Sequence, residues 1–395
     1  KLLNMTPSRP DVSRIRAVMK KHGIDALAAS YPSNVYYLSE LPVSNTSSNA
    51  LLYSVKNASP AFCIIPLDKE PALITTAAAV ELARKHSWIK NVKPYRTGVY
   101  IVRREEVSVY ASNAFEAFSK LVDELGLRRS TIGLDLSLMG CGIYEKLKAS
   151  LGDVKLVDST NVFLELRMIK NEEEIRRFKE ANRILCAAMR KVIAEMREGV
   201  VERDLHVILK TDMMKQGADG WFQTTIAAGP DDGPNIYHQP DGKKLRRGDI
   251  IRMDIGCVYQ GFGCDLSRTV VVGTPPAEAT KIYKVLEEAE KMLIENAKPG
   301  VKASDLHAVA EKYVREKLDP RYSRGNVGHG VGVELYDPPE ISASDHTPLA
   351  PGMTLSLEVP YHKFGLGGFN VEDSVVITEK GNVVVSDLPT ELIVV

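Results

Sequence analysis

Two segments in the second half of the chain alternate polar with apolar residues, and each carries two acidic side chains. The first segment, residues 250–273, predicts two antiparallel strands joined by a tight turn at residues 259–261. A hairpin with that turn pairs Asp254 directly with Asp265 on a polar face, while the opposite face is apolar. Because like charges directly opposite each other repel, the pattern predicts either a protonated acid or a cation between the two carboxylates.

The second segment, residues 353–378, repeats this design. Its two predicted strands are joined by a glycine-rich turn, and Glu358 and Glu372 fall on their polar faces. A single hairpin of this kind is compatible with a solvated polar face on which two acids pair by accident. Two such hairpins in one half of the chain favour a shared acidic site instead.

His329 lies between the two hairpins, with glycines at positions 328, 330 and 332. A lone histidine usually belongs to the core, but glycine lets the backbone approach a buried site closely, so this position favours a ligand. Four carboxylates and one imidazole suit manganese, cobalt, iron or zinc, and the four negative charges balance two divalent cations. Two such ions would lower the pKa of a shared water and polarise a carbonyl, as hydrolysis of an amide requires.

A faint internal repeat relates the two parts of this region. Residues 199–206 (GVVERDLH) and 300–307 (GVKASDLH) match at five of eight positions. Each copy follows a predicted long helix and precedes an acidic hairpin, so the repeat predicts two similar halves packed around one sheet, with a site at their junction. His206 and His307 occupy equivalent places on the repeated helices, and we predict structural roles for both.

The first 165 residues predict an α/β domain, because strand patterns alternate with helical ones. The predicted strands are residues 26–29, 50–55, 61–66, 71–75, 132–136 and 154–157, and the predicted helices are residues 11–22, 77–86 and 111–125. No phosphate-binding glycine loop occurs in this part. We therefore predict an N-terminal domain of residues 1–165 and a second domain of residues 166–395, with a hinge at 166–171 and a long helix at 172–197.

The charges, apolar runs and cysteines of the sequence exclude several classes of protein. Lys+Arg and Asp+Glu both number 51, so no basic surplus indicates nucleic acid. No apolar run approaches the ~18 residues of a membrane span, and no signal-peptide pattern opens the chain, so a cytoplasmic location is expected. The five cysteines are odd in number and contain no CxxC pair, which argues against a disulfide framework or a thiolate zinc site.

The motifs MDIGCVYQGFGCDLSRTVVVG, GHGVGVELYDPPEI, PGMTLSLEVP and GGFNVEDSVVIT resemble the Xaa-Pro dipeptidase and aminopeptidase family of the creatinase and methionine aminopeptidase "pita-bread" superfamily. FQTTIAAG and DALAASYPSNVYYLSE also resemble it, so the likeness spans nearly the whole chain. The resemblance implies an α/β fold in which a creatinase-like N-terminal domain precedes a pseudo-two-fold pita-bread catalytic domain, and it implies a homodimer. The metal ligands that it implies are Asp254, Asp265, His329, Glu358 and Glu372.

The same resemblance implies further roles. Glu358 would also shuttle a proton to the leaving nitrogen, and His238, in NIYHQP, would contact substrate and stabilise the developing oxyanion. The loop from His238 to Gly248 is one residue shorter than in the family. Family peptidases usually have a second histidine where this chain has Tyr336, which can donate a hydrogen bond to substrate but cannot shuttle protons at neutral pH. A positive residue that meets the substrate carboxylate in some dipeptidases is replaced near Glu340.

The leading hypothesis is hydrolysis of a peptide or amide bond, in Xaa-Pro dipeptides or at N-terminal Xaa-Pro bonds, by a site with two divalent metal ions. The presence of Tyr336 favours an alternative that keeps the fold and metals but acts on a non-peptide C–N bond of a small molecule, as ectoine hydrolase-like relatives do. A third hypothesis is a non-catalytic binding protein, and the complete set of five ligands argues against it.

Overall fold

The computed structural model describes residues 9–41, 60–96 and 108–395. Contacts between residues divide the chain into two compact units, Lys1–Leu166 and Arg167–Val395. Both units combine helices with strands, so the predicted mixed α/β class is confirmed. Among the helices described, none is both long and apolar enough to cross a membrane.

Within its described residues, the first unit is built on a six-stranded sheet in the order β4-β3-β2-β1-β5-β6. Its strands are β1 (Ala26–Ala29), β2 (Phe62–Pro66), β3 (Ala72–Thr76), β4 (Asn91–Tyr95), β5 (Thr131–Leu134) and β6 (Lys155–Asp158), and its helices are α1 (Val12–Lys21), α2 (Pro32–Ser39), α3 (Val80–His86), α4 (Ala114–Glu124), α5 (Cys141–Leu151) and α6 (Thr160–Met168). Strand β1 is antiparallel to β2 and parallel to β5, so the sheet is mixed. The strand predicted at 50–55 lies outside the described residues.

The segment 166–171, predicted as a hinge, contains the boundary between the two units, and its first three residues belong to α6. The stretch before residue 169 is rich in leucine, glutamate, arginine and methionine, which favour helix over an open linker. The next helix, α7 (Glu172–Glu195), begins with a capping box. The side-chain oxygen of Asn171 accepts a hydrogen bond from the backbone N–H of Glu174 at 2.9 Å. The carboxylate of Glu174 in turn accepts one from the backbone N–H of Asn171 at 2.8 Å.

The second unit contains a nine-stranded sheet whose main path is β11-β10-β12-β15-β9-β8-β7. Its strands are β7 (Thr224–Ala228), β8 (Ile250–Tyr259), β9 (Phe262–Val271), β10 (Asn326–Gly330), β11 (Asp337–Ser342), β12 (Thr354–Glu358), β15 (Glu372–Thr378), β16 (Gly381–Val384) and β17 (Ile393–Val394), with a separate short pair β13 (Tyr361–Lys363) and β14 (Gly367–Phe369). Its further helices are α8 (Glu202–Gln216), α9 (Gly229–Asp232), α10 (Ala277–Asn296) and α11 (Ala303–Lys317).

The predicted pair of similar halves is confirmed by the hydrophobic core. One apolar cluster joins α7 and α8 to β7, β8 and β9, and a second joins α10 and α11 to β10, β12 and β15. The repeated histidines have matching structural roles. Nε2 of His206 lies 3.4 Å from the carbonyl of Ile226, and Nε2 of His307 lies 2.9 Å from the carbonyl of Arg324. Each ring therefore links a repeated helix to the chain at or just before the first strand of its half.

The register of the first acidic hairpin differs from the prediction. Gln260 and Gly261 both have positive φ, 46° and 71°, which is the signature of a two-residue type I′ turn. This turn centres the hairpin one residue later than the alternation suggested, so Asp254 pairs with Ser267 and Asp265 pairs with Gly256. The two acids are diagonal rather than direct neighbours. They remain on one face, because the shift changes the pairing by an even number of residues.

Candidate metal centre

The five predicted metal ligands all line one cavity of about 270 Å³ in the second unit. Each comes from a different strand: the donors lie on β10, β12, β15, β9 and β8, which are consecutive neighbours in the sheet. The register aligns them, since Glu358 pairs with Glu372 and both Glu372 and Asp254 pair with Ser267. Alternation within each strand then directs the donors to the same face of the sheet.

The closest grouping consists of Asp265, His329 and Glu372. Each offers one ligand atom, and these atoms all lie within 4.8 Å of one another. Nε2 of His329 is 3.9 Å from Oδ2 of Asp265. Asp254 and Glu358 border the same cavity outside this tightest group. Carboxylates and an imidazole at this spacing form a donor set that suits a divalent transition metal.

Hydrogen bonds from neighbouring side chains orient the acids. Both carboxylate oxygens of Glu372 are contacted at 2.7 Å, by the hydroxyls of Ser267 and Ser356. The amide of Asn370 donates to Glu358 Oε2 at 3.0 Å. Such outer partners fix the direction of the ligand lone pairs and are part of a working metal site.

The ring of His329 has the tautomer and the protonation state that a metal ligand requires. Its Nδ1 lies 3.1 Å from the carbonyl of Gly330, an acceptor, so Nδ1 carries the proton and Nε2 keeps a free lone pair towards Asp265. Burial lowers the pKa of His329, which keeps the imidazole neutral. A neutral imidazole with an unprotonated Nε2 is the form that binds metal ions.

Electrostatics in the cavity favour a cation. Burial raises the pKa of Asp254 to about 6, against the opposing effect of Arg252. Burial and the neighbouring carboxylates raise the pKa values of Asp265 and Glu372 well above the ordinary range. Ionising these acids together without a counter-ion is therefore costly, and a divalent cation among them removes that cost.

We expect a divalent metal to stabilise the protein more strongly at pH 7.5 than at pH 5.5. The pKa of Asp254 is about 6 in the folded chain against an ordinary 3.8, so the stability that this group contributes is present below 3.8 and lost as the pH rises to about 6. The raised pKa values of Asp265 and Glu372 act in the same direction. Melting temperatures with EDTA and with Mn²⁺ at both pH values measure this, and an equal Mn²⁺ shift at the two would contradict it.

Tyr336 lies at the mouth of the cavity. Its ring centroid is 4.0 Å from that of His329, and the residue is 56% exposed. Partial burial of the side chain and the nearby acids raise the pKa of Tyr336 above its ordinary value, so the hydroxyl remains a donor at neutral pH. The structure thus brings this predicted substrate contact into the same cavity as the acids.

The side chain of His238 does not line this cavity. Its Nε2 contacts the buried carboxylate of Glu202, and Nδ1 is 3.7 Å from Asp232 Oδ1. Its neighbours Ile236 and Tyr237, rather than His238 itself, line the cavity. The substrate contact inferred for His238 therefore stays a prediction.

Several cavity residues received no role from the sequence. Arg252 precedes Asp254 by two positions on β8, and Asn370 precedes Glu372 by two positions just before β15, so alternation could have found them. Arg324 and His362 come from segments without a clear period, and no sequence signal marks them.

Two family profiles match this chain, one in its N-terminal part and one in its C-terminal part. The profile described as metallopeptidase family M24 matches residues 176–379, and that of the creatinase/prolidase N-terminal domain matches residues 12–169. The Xaa-Pro dipeptidase of Pyrococcus horikoshii is 29% identical over 390 residues, covering 97% of this chain and 98% of the relative.

Solved structures of an Xaa-Pro dipeptidase and a prolidase share the fold of this chain. The prolidase from Pyrococcus horikoshii OT3 matches with a TM-score of 0.80 at 28% identity, and an Xaa-Pro dipeptidase from Bacillus anthracis with 0.82 at 25%. Each comparison covers 97% of this chain and 99% of the other. The predicted creatinase-like and pita-bread architecture is thereby confirmed. Since the M24 match covers more than half of the sequence and the creatinase match most of the remainder, the chain belongs to metallopeptidase family M24.

Proposed function

We propose that this protein hydrolyses Xaa-Pro dipeptides or N-terminal Xaa-Pro bonds with two divalent metal ions. The convergence of five donors from five adjacent strands on one cavity carries the proposal. The names of the Xaa-Pro dipeptidase relatives support the substrate class. A homodimer and a cytoplasmic location stay predictions.

The donors would hold the ions on the side of the cavity formed by the sheet. Asp254, Asp265, His329, Glu358 and Glu372 are the proposed ligands, and manganese, cobalt, zinc or iron suits them. Bound ions would supply a water of lowered pKa and polarise the scissile carbonyl. Their number and identity are part of the proposal.

Glu358 is proposed to move the proton. It lies at the edge of the acidic group, is 9% exposed, and is held through Oε2 by Asn370. Among the residues that the structure describes, the cation paired with its Oε1 is Arg324, whose Nη2 lies 3.6 Å away. A carboxylate fixed by one oxygen and open at the other can accept a proton and deliver it to the leaving nitrogen.

Tyr336 is proposed to donate a hydrogen bond to the substrate. We expect Tyr336→Phe to lower kcat/KM for an Xaa-Pro dipeptide by about tenfold, the equivalent of one neutral hydrogen bond. Metal content should not change, because the hydroxyl is not among the proposed ligands. Steady-state kinetics with metal analysis measure both, and an unaltered kcat/KM would remove Tyr336 from the substrate site.

A substrate panel tests the proposal as a whole. The Mn²⁺-loaded protein is assayed with Xaa-Pro dipeptides, longer peptides with an N-terminal Xaa-Pro bond, Xaa-Ala dipeptides and small N-acyl amino acids. Cleavage of the proline peptides in preference to the alanine ones is expected. Turnover of the N-acyl compounds alone would overturn the proposal, and so would a protein that neither binds nor responds to Mn²⁺ or Co²⁺.

A further inference from the structure

Two arginines border the cavity beside the acids. Arg252 is buried on β8, and its guanidinium is fixed by three contacts. It donates to the carbonyls of Gly233 at 3.2 Å and Asn235 at 3.1 Å, and to the carboxylate of Asp254 at 3.0 Å. A guanidinium has five N–H donors, so this rigid group retains donors beyond these three contacts.

The guanidinium of Arg324 has fewer hydrogen-bond partners than that of Arg252 among the described residues. Its Nε is buried and has no hydrogen-bond partner among the described residues. Its Nη2 is 3.6 Å from Glu358 Oε1, which is too long for a hydrogen bond. A buried donor without an acceptor is costly and rare in folded proteins. The side chain of Arg324 is thus positioned at the cavity with donor capacity to spare.

His362 adds a neutral donor or acceptor to the same region. Its Nδ1 is buried and, within the described part of the chain, lacks a hydrogen-bond partner. Burial, together with the charges of Arg252 and Arg324, lowers the pKa of His362 to about 3, so the ring is uncharged at neutral pH. Arg252, Arg324 and His362 all line the same cavity.

The charges of the cavity leave a positive excess once metal is bound. Two divalent cations would balance the four carboxylates of the cavity, and the charges of Arg252 and Arg324 would then remain in excess. An excess of positive charge that is partly removed from water is unfavourable, and a bound anion relieves it. The sequence lacks the positive residue expected near Glu340, and these two arginines supply positive charge from other segments.

We propose that Arg324, with Arg252 and His362, binds a carboxylate of the substrate and makes the protein selective for dipeptides. This inference rests on the proposed function, since it takes the substrate to be a peptide. When the leaving group is a single amino acid, its free carboxylate lies only a few bonds from the scissile nitrogen and can reach the arginines. A guanidinium recognises a carboxylate through paired N–H donors, which gives orientation as well as affinity.

The test compares acids with their amides on the Mn²⁺-loaded full chain. We expect Ala-Pro to exceed Ala-prolinamide in kcat/KM by about 10- to 100-fold, as one charge-assisted contact allows. Arg324→Gln should bring this ratio close to one, and Arg324→Lys should restore part of it, because lysine keeps the charge without the planar fork. Arg321→Gln is the control: Arg321 is exposed, pairs with Asp319 at 3.1 Å, and should leave the ratio unchanged.

Direct binding separates this inference from the proposed function. Calorimetric titration with L-proline and L-prolinamide requires no turnover, and tighter binding of L-proline that is lost in Arg324→Gln supports the carboxylate site even if no Xaa-Pro bond is cleaved. Cleavage of Ala-Pro and Ala-prolinamide at equal rates would overturn the carboxylate site while leaving the peptidase proposal intact. Faster cleavage of Ala-Pro-Ala than of Ala-Pro, or an unchanged ratio in Arg324→Gln, would overturn it as well.

Discussion

Replacing Glu372 with glutamine is expected to stabilise the metal-free protein while nearly abolishing its activity. Glu372 is 1% exposed, and burial with three neighbouring acids raises its pKa well above the ordinary range. Removing its charge relieves repulsion, so the free energy of unfolding of the EDTA-treated protein should rise by about 1 kcal/mol or more at pH 7.5. The amide keeps the size of the side chain and can still hydrogen-bond with Ser267 and Ser356.

The same change removes a central metal ligand. Metal catalysis accounts for several kcal/mol of transition-state stabilisation, so kcat/KM should fall by ~10³-fold or more. Metal content, measured by mass spectrometry after dialysis, should fall with it. The opposite directions of stability and activity are the distinctive result, since ordinary damage to the core lowers both.

Glu290→Gln is the matched control for this experiment. Glu290 is a fully buried acid on α10 whose pKa burial also raises, next to Asp373 and away from the metal cavity. It should show stability equal to or greater than that of the wild type, with unchanged metal content and kcat/KM. Retention of both metal and activity by Glu372→Gln would contradict the assignment of Glu372 as a ligand.

Adding a single methyl group at Gly328 is expected to damage both the sheet and the metal site. Gly328 has φ of +145°, and a Cβ there would lie 2.3 Å from the carbonyl oxygen of Ser356 on the adjacent strand. Because the obstacle is backbone in a paired strand, it cannot move without breaking the pairing of β10 with β12. We expect Gly328→Ala to lower the free energy of unfolding by about 2–4 kcal/mol.

Metal binding should also weaken in Gly328→Ala, because His329 follows Gly328 directly and pairs with Ser356. A displaced strand moves Nε2 of His329 away from Asp265, so Mn²⁺ affinity should fall together with the melting temperature. Gly325→Ala is the control, since no atom lies within 4 Å of a Cβ at that position. Thermal denaturation with and without Mn²⁺ measures both effects, and a Gly328→Ala variant that melts like Gly325→Ala would refute this account of the glycines.

The donors were predictable because strand alternation is a local property. Asp254, Asp265 and Glu358 each stand between two apolar residues, and Glu372 follows the apolar Val371, so this period assigns the acids to a face without knowledge of the fold. The register of the first hairpin was predicted wrongly, because it depends on the positive φ angles at Gln260 and Gly261, which a pattern of polarity does not encode.

The places of Arg324 and His362 in the cavity were not predictable, for a different reason. Arg324 precedes β10 and His362 lies in the short strand β13, and neither segment has a period that reveals the direction of its side chains. Their meeting with Arg252 depends on the order of strands in the sheet, which is a property of long-range packing. His238 shows the converse: a family motif suggested a role, whereas local packing against Glu202 determines where its ring lies.

The distribution of one donor on each of five neighbouring strands has a consequence for biosynthesis. The first donor, Asp254, and the last, Glu372, are separated by 118 residues of chain. At about 5–20 residues per second, the ribosome needs roughly 6–24 s to pass from one to the other, and the five-donor set is incomplete during that interval. The complete set can therefore bind ions only after Glu372 has been synthesised, so the donors of the first hairpin lack their partners until the last strands of the sheet are made.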